Sequence, residues 1–342
     1  MDLVLVTGAG ASHNLGREDK PLPLMPEWSD ELCSALDAAE SRLAHRCRLA
    51  PGMSSVEFET ALGELLRWEA MKYLNPAFAN LTDEPGHFQQ LDGQATARLG
   101  TIRRVIDDTL YAQFGQERVD EARATKAYEL LLERFAVGRL VLATTNYDRS
   151  CEVALSKLGR QSDAGFRAQD SESLERLEVA NLVEKAREEH KTACLHLHGA
   201  VGWYQKDGVV YDYKGRHAFN QTLGSPVVLY PDPEKDPTSD QYVAALWDEF
   251  RVALSLTDRV LVLGHSLHDP VLVQELRAAK PKRLAVAFYT DTAPDSQAAQ
   301  RAHIEQQLPG AIQIGMDFGP QFGADPEALH AFMDEPQLSV AE

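Results

Sequence analysis

The sequence is poor in cysteine, and its cysteines are widely separated. Only Cys33, Cys47, Cys151 and Cys194 are present, and no two of them form a CxxC pair. A zinc ribbon needs such closely spaced pairs, and a disulfide framework is typical of much shorter secreted chains. The cysteines are therefore predicted to be reduced and mostly structural, and no metal site is predicted.

Positive charge is also scarce. The chain has 34 Lys and Arg residues against 52 Asp and Glu residues, which gives a formal net charge of −18 at pH 7. A field of this sign repels the phosphates of DNA and RNA at long range. Direct binding of nucleic acid is therefore not expected.

Long hydrophobic runs are missing as well. The apolar stretch at residues 252–267 is broken by Asp258 and Arg259, whereas a membrane-spanning helix needs about 20 apolar residues. The first apolar segment, residues 2–6, is short and has no basic residues before it, unlike a secretory signal. No membrane partner is expected, and the predicted location is the cytoplasm.

What the sequence does contain is an alternation of short apolar segments with helical ones. A length of 342 residues allows two modest domains or one large domain with insertions. Helical spacing is seen at about 27–135, in the acidic stretch 173–191, at about 239–256 and from near Pro270. Buried strands are predicted at residues 2–6 and within 139–148, 193–199, 225–231, 259–266 and 283–291.

This alternation predicts the fold class. Apolar strands that alternate with helices are typical of a mostly parallel sheet covered on both faces. We therefore predict a doubly wound α/β fold with a Rossmann-like sheet, a large helical insertion at about 27–135 and a small hairpin insertion at about 202–222. The polar segment after Gly319 is predicted to be peripheral.

Four predicted strands end in glycine and polar side chains. The four clusters are GAGAS (8–12), TTNYD (144–148), HLHG (196–199) and GHSLHD (264–269). The carboxyl ends of parallel strands lie at one edge of a sheet, where ligands bind in this fold class. The clusters are therefore expected to converge on one site.

The first cluster has features of a phosphate-binding loop. Gly8 and Gly10 would let the backbone approach a pyrophosphate and offer amide hydrogens to it. However, His13 stands where the dinucleotide fingerprint G-x-G-x-x-G has its third glycine, which counts against an ordinary nicotinamide dehydrogenase. A simple tight turn is the alternative at this point.

Two other patterns suggest hydrolases. His196 and His198 form an H-x-H pair that could bind zinc, although no Asp-His pair follows nearby; His196 is interpreted as structural and His198 as the better catalytic candidate. Ser266 lies in a strand–turn–helix setting that resembles a nucleophile elbow and could work with His303. His268 replaces the second glycine of that motif, which weakens the second alternative.

In their order and separation, VTGAGAS, TTNYD, HLHG and LGHSLHD resemble the nucleotide-site motifs of the sirtuin family, and more closely those of its bacterial antiviral-defence branch. The resemblance spans about residues 3–289 and implies one sirtuin-like NAD-binding domain over residues 1–342. It also implies that NAD is bound as a substrate, with no prosthetic group, and that its nicotinamide–ribose bond is cleaved.

The resemblance implies a role for each motif residue. Asn146, Asp148 and His198 would be catalytic, with the first two beside the nicotinamide ribose. The nucleotide-binding residues would be Gly8, Ala9, Gly10, Ala11 and Ser12 at the phosphates, Thr145 and Gly264, and Ser266 and Asp269 near the adenosine half.

The residue chemistry agrees with these roles. Cleavage of an N-glycosidic bond passes through an oxocarbenium-like sugar and benefits from a base with a pKa near neutrality, as histidine has. Asn146 could hold a water or a ribose hydroxyl without adding charge, while Asp148 could instead orient the loop. A helix cap is the alternative for both residues.

Two differences from deacylase sirtuins determine which activity we expect. The sequence lacks the CxxC pairs of their structural zinc and their Pro-Asp-Phe-Arg stretch, which puts protein deacylation in doubt. Water is then the expected acceptor, and the expected activity is NAD hydrolysis to nicotinamide and ADP-ribose.

The defence branch further implies an anti-phage effector held in an off state. We expect a homo-oligomer or a co-encoded partner, such as a helicase-type ATPase or an Argonaute-like protein, to release it. The first alternative is a non-catalytic module that senses NAD or an ADP-ribose derivative. ADP-ribosyl or acyl transfer to a protein is a third.

Overall fold

An eight-stranded sheet forms the centre of the computed structural model, which describes residues 2–74, 85–135, 137–169, 172–213, 224–230, 236–290 and 292–333. Its strands are β1 (Leu3–Thr7), β2 (Leu140–Thr144), β3 (Ser162–Asp163), β6 (Thr192–His196), β10 (Arg259–Leu263), β11 (Arg283–Phe288), β12 (Ile312–Asp317) and β13 (Gly323–Ala324). Their order is β13-β12-β11-β10-β1-β2-β6-β3, and all neighbours are parallel except β12 and β13.

The strand order reverses beside β1. From β1 the chain builds the sheet to one side through β2, β3 and β6, and it then returns to place β10 on the other side of β1, followed by β11 and β12. In doubly wound sheets a ligand crevice opens at such a reversal, outside the carboxyl ends of the strands. The crevice in this protein lies between the ends of β1 and β10.

Both faces of the sheet are covered because its central strands are apolar at several successive positions. Val4 and Val6 face one layer of helices, and Leu3 and Leu5 face the other. The first layer consists of α8 (Leu182–Glu188), α9 (Gln241–Leu256), α10 (Pro270–Ala279) and α11 (Pro294–Gln307). The second consists of α1 (Ala9–His13), α6 (Glu121–Arg134), α7 (Ser150–Lys157) and α12 (Pro326–Met333). The predicted fold class is thereby confirmed.

The chain between β1 and β2 is helical in its described parts. Besides α1 and α6 it forms α2 (Met25–Ala39), α3 (Leu43–Arg46), α4 (Ser55–Leu74) and α5 (Pro85–Phe114), and residues 75–84 lie outside the described part. A capping box begins α4, since the Ser54 amide donates to Glu57 Oε2 (2.9 Å) and the Glu57 amide to Ser54 Oγ (3.4 Å). The amide and the Oγ hydroxyl of Ser54 both donate to Glu57 Oε2, which holds the pKa of the exposed Glu57 carboxyl below its ordinary value.

A second sheet accounts for more of the chain than the predicted hairpin. Its strands are β4 (Phe166–Gln169), β5 (Glu172–Leu177), β7 (Gly199–Lys206), β8 (Val209–Asp212) and β9 (Ser225–Val228), in the order β4-β5-β8-β7-β9. The hairpin itself is present, and Asp207 and Gly208 at its turn both have positive φ. Its predicted extension to about residue 222 falls on 214–223, outside the described residues.

The prediction of a helix over 173–191 was wrong in its first part. Glu172–Leu177 is a strand, and the helix α8 begins only at Leu182. Pairing with β4 on one side and β8 on the other outweighs the helical preference of Glu, Leu and Arg.

The described part of the segment after Gly319, residues 320–333, is not peripheral, contrary to the prediction. The helix α12 buries Phe332 completely, and its ring contacts Phe135 edge-on with centroids 5.8 Å apart. Leu329 and Phe332 are three positions apart, so they share one helix face and close the core at the edge of the sheet. Across the described ranges no helix is both long and apolar enough to cross a membrane.

Candidate active site

The four motif clusters meet at the crevice between β1 and β10. The Gly8 amide donates to Leu263 O (3.0 Å), and Asn146 Nδ2 donates to Gly8 O (2.9 Å). His198 Nε2 lies 3.1 Å from Asp269 Oδ2. These contacts join the ends of β1, β2, β6 and β10, so the expected convergence is confirmed.

The glycines allow the loops after β1 and β10 to touch. A Cβ on Gly8 would come within 2.7 Å of the His265 Cα, and one on Gly264 would overlap the Ala11 amide. Gly264 also has a φ of 62°, which favours glycine. The Gly10 amide donates to Gly264 O (2.9 Å). The observed role of these glycines is therefore close contact between two loops.

The predicted phosphate-binding residues lie on and before the one-turn helix α1. Gly8 precedes it, and Ala9, Gly10, Ala11 and Ser12 belong to it. The amides of Gly8 and Gly10 donate to carbonyls of β10 and its loop, and the Ala11 amide donates to Gly8 O (2.9 Å). Tyr289, which follows β11, was missed by the sequence analysis; its hydroxyl donates to Gly10 O. Phosphate binding by this loop stays a prediction.

The side chain of Asn146 is fixed by hydrogen bonds from its Nδ2 group. Its Nδ2 donates to Gly8 O (2.9 Å) and to Ser12 Oγ (2.7 Å), and its own amide donates to Thr144 Oγ1 (3.0 Å). An aspartate here would place a carboxylate oxygen against the Gly8 carbonyl oxygen, so the carboxamide fits where a carboxylate would not. From the described part of the chain, no hydrogen bond to Asn146 Oδ1 is found.

Thr145 and Asp148 stabilise the loop around Asn146. The amide and Oγ1 of Thr145 both donate to Thr7 O, at 3.0 and 3.4 Å. The buried Asp148 accepts the Ser150 amide (2.9 Å) at the start of α7. Asp148 thus bonds the first residue of α7 from just before the N-cap, Arg149, whereas the side chain of Asn146 points to the glycine loop. A catalytic role of Asp148 and nucleotide contact by Thr145 stay predictions.

His198 is paired with a buried carboxylate. Asp269 caps α10, its Oδ1 accepting the amides of Val271 (3.0 Å) and Leu272 (3.2 Å), and its Oδ2 lies 3.1 Å from His198 Nε2. A contact of Asp269 with the adenosine half of the nucleotide stays a prediction, and the structure places the carboxylate against the candidate base. An Asp before Pro270 is a recognisable cap signal, but its partner is 71 positions away along the chain.

Tyr147 connects the site to the helices between β1 and β2. Its ring contacts Trp28 and Phe114 edge-on and lies 6.4 Å from the His198 ring, centroid to centroid. Its hydroxyl donates to Leu229 O (2.9 Å), and the Leu229 amide donates to His198 O (2.8 Å). The helical region therefore packs directly against the backbone that carries Asn146 and His198.

His196 belongs to a buried charge network instead of to the crevice. Its Nε2 donates to Glu152 Oε2 (3.0 Å), and Arg149 bonds both Glu152 and Asp212, its closest contacts being 2.7 and 2.8 Å. Burial alone would raise the pKa of Glu152, but Arg149 and His196 hold it well below its ordinary value. The network ties β6, α7 and β8 together. The structural interpretation of His196 fits this arrangement, and Arg149, Glu152 and Asp212 were missed from sequence.

The network predicts a pH-dependent stability difference. Because Glu152 has a depressed folded pKa, its contribution is present above its unfolded pKa, near 4.5, and is lost as the pH falls through the folded value. Glu152→Gln should therefore cost about 2 kcal/mol of unfolding free energy at pH 7. The gap to wild type should shrink by about 1.4 kcal/mol per pH unit below 4.5. Urea unfolding of both proteins at pH 7 and pH 3 measures it, and an unchanged gap contradicts the assignment.

Neither hydrolase alternative fits the geometry. His196 and His198 contact different carboxylates, on Glu152 and Asp269, and within the described ranges no group of three or more possible metal ligands exists. The side chain of Ser266 is exposed, and His303 Nε2 donates to Ser266 O (3.0 Å), not to its hydroxyl. A serine nucleophile assisted by His303 is not assembled. Contact of Gly264 or Ser266 with a nucleotide stays a prediction.

Comparison with known proteins agrees with the motif resemblance. A family model described as a SIR2-like domain matches residues 140–308, which include Asn146, His198 and Asp269 but not the glycine loop. This match supports a sirtuin-like family for the chain, without selecting a branch of it. SIR2-like proteins use NAD as a substrate. No curated protein shows a significant match.

Two solved structures are similar in outline. One is a mutant Sir2 homologue in complex with 2'-O-acetyl ADP ribose, with 14% identity and a TM-score of 0.39, covering 90% of this chain and 93% of that one. The other is a Sir2 homologue–NAD complex, with 14% identity and a TM-score of 0.38, covering 90% of this chain and 89% of that one.

Proposed function

We propose that this protein hydrolyses NAD at the crevice between β1 and β10, releasing nicotinamide and ADP-ribose. The observation that carries the proposal is the placement of Asn146 and His198. Thr144 and His196 are paired in register on β2 and β6, and Asn146 and His198 each follow two positions later. An amide and an imidazole thus lie at neighbouring strand ends, inside the segment that matches a SIR2-like domain.

The dinucleotide is proposed to lie across the reversal in strand order. Its pyrophosphate would face α1 and Gly8, its nicotinamide ribose Asn146, and its adenosine half the loop that carries Gly264 and Ser266. The whole chain would then be one sirtuin-like NAD-binding domain, with a helical insertion at about 27–135 and a hairpin insertion at about 202–222.

The reaction needs little covalent chemistry from the protein. The bond between ribose C1′ and the nicotinamide nitrogen breaks, and its electron pair leaves with neutral nicotinamide. Water then forms the new bond to C1′ and gives its proton to His198, whose ordinary pKa suits a general base near neutral pH. Asn146 Oδ1 would hold that water or a ribose hydroxyl, since its Nδ2 is already used by Gly8 and Ser12.

Enclosure of the site supports a repressed resting state. Asn146 is 7% exposed and His198 is 6% exposed, so each presents only a small part of its surface to solvent in this conformation. We propose that access to them is controlled, as an NAD-depleting effector of bacterial anti-phage defence would require. Assembly into a homo-oligomer, or a partner such as a helicase-type ATPase or an Argonaute-like protein, would supply the trigger.

The low exposure of Asn146 and His198 also favours a second candidate function. A module that binds NAD or an ADP-ribose derivative without cleaving it would also need a closed pocket. Such a sensor, however, has no need of a base at the ribose. The fate of bound NAD therefore separates the two functions.

The test is release of nicotinamide from NAD, followed by chromatography with and without candidate partners. Wild type is expected to form nicotinamide and ADP-ribose in equal amounts under an activating condition. His198→Ala should lower the rate by about 10²-fold or more, because general-base catalysis contributes that much. The control is His45→Ala, an exposed histidine on α3. NAD that binds tightly yet stays intact under every condition supports the sensor instead.

A further inference from the structure

We propose that Asp269 is a positioning residue that holds His198 in one tautomer, with the proton on Nε2 and the basic nitrogen at Nδ1. The role of the pair in catalysis rests on the proposed function, whereas the position of the proton rests on the geometry of the pair. A carboxylate oxygen can only accept, so the 3.1 Å contact with Asp269 Oδ2 requires the hydrogen on His198 Nε2.

Helix α10 holds the carboxylate in place. Oδ1 of Asp269 accepts the amides of Val271 and Leu272, which leaves Oδ2 directed at the imidazole. The positive end of the helix dipole favours a negative charge at this position. Asp269 is 5% exposed, so water does not compete freely for either oxygen. The carboxylate is thus oriented by contacts that do not involve His198.

The loop before Asp269 has a fixed conformation. Gly264 and Leu267 have positive φ values of 62° and 58°, and the Leu267 amide donates to His265 Nδ1 (2.9 Å). A leucine in this region is uncommon and persists only where the surroundings enforce it. Leu267 is buried in the core under α10, which supplies that enforcement. The strained loop conformation therefore fixes the position of Asp269.

His198 is restrained on its other sides as well. Its carbonyl accepts the Leu229 amide (2.8 Å), and its ring lies 6.5 Å from Trp247, centroid to centroid. Trp247 is itself fixed, since its Nε1 donates to Leu197 O (2.9 Å). The contact with Asp269 orients the ring within these surroundings, and Asp269 decides which nitrogen takes up the proton. When it does so, the adjacent anion stabilises the imidazolium that forms.

Asp269→Asn tests the inference without removing the helix cap. Asparagine caps helices about as well as aspartate, but its Nδ2 would donate to His198 Nε2 and favour the opposite tautomer. The matched control is Asp240→Asn. Asp240 caps α9 through the amides of Tyr242 (2.8 Å) and Val243 (3.0 Å), and among the described residues no hydrogen bond joins it to a histidine.

Two readouts are combined: the ¹⁵N NMR signals of the His198 imidazole, assigned with His198→Ala, and the kinetics of NAD cleavage. Wild type and Asp240→Asn are expected to carry the proton on Nε2, and Asp269→Asn on Nδ1. In Asp269→Asn, kcat should fall by about 10²-fold, while the Kd for NAD should stay within about threefold. A smaller kcat and an unchanged Kd separate positioning of the base from a general structural role.

The outcomes distinguish this inference from the proposed function. An identical tautomer in wild type and Asp269→Asn overturns the inference, and so does a switched tautomer with an unchanged kcat. If no condition yields nicotinamide, the proposed function fails, whereas a tautomer switch in Asp269→Asn alone still supports the role of Asp269.

Discussion

Asn146→Ala is expected to reduce the rate of nicotinamide release by about 10²-fold or more, because small misplacements at a reacting centre cost that much. The substitution removes the Nδ2 bonds to Gly8 O and Ser12 Oγ, which fix the loop after β2 against the loop after β1. It also removes Oδ1, the group proposed to hold water or ribose. Initial rates at saturating NAD, under the condition that activates wild type, give the ratio.

Asn14→Ala is the matched control for that experiment. Asn14 also donates from Nδ2 to a backbone carbonyl, that of Phe318 (3.2 Å), at the other end of α1. Its loss removes a bond of the same kind but no proposed catalytic group, so the rate should stay within about threefold of wild type. Equal rates for Asn146→Ala and Asn14→Ala would remove Asn146 from the catalytic account.

Arg149→Ala is expected to have the largest effect on stability, a loss of about 3–5 kcal/mol in the free energy of unfolding. Arg149 neutralises two buried carboxylates, on Glu152 and Asp212, and the side chain of Asp212 is 0% exposed. Removal of the guanidinium leaves both charges without their cation in a region of low dielectric. Urea unfolding at pH 7 measures the loss.

An exposed ion pair provides the comparison for Arg149→Ala. Lys282 and Asp258 are 2.7 Å apart, with both side chains more than half exposed. Surface pairs contribute about 0–1 kcal/mol, so Lys282→Ala should change stability very little. A similar small change for Arg149→Ala would show that the buried network does not hold β6, α7 and β8 together.

Much of the fold could be predicted from local patterns. Strands such as Leu3–Thr7 and Arg259–Leu263 are apolar at successive positions, which is characteristic of burial on both faces. The strand at Glu172–Leu177 could not be predicted, because what makes it extended is its pairing with β4 and β8. The helix that buries Phe332 was missed because its contact with Phe135 forms across about 200 residues of chain.

The candidate site was likewise predictable only in part. The strand ends could be located because glycine and polar residues directly follow apolar segments, and the parallel order then brings Asn146 and His198 together. The partners of those residues could not be predicted. Whether Asp269 faces a nucleotide or His198, and whether Arg149 faces solvent or Asp212, depends on contacts between distant elements that leave no local signal.

A crystal structure of the His198→Ala variant grown with NAD, under the condition that activates wild type, would test the central claim most directly, because it shows the bound dinucleotide itself. The account predicts the dinucleotide across the ends of β1 and β10, with Asn146 Oδ1 within hydrogen-bonding distance, about 2.7–3.2 Å, of a ribose hydroxyl or of a water beside C1′. NAD bound elsewhere, or bound with its nicotinamide ribose turned away from Asn146, would contradict it.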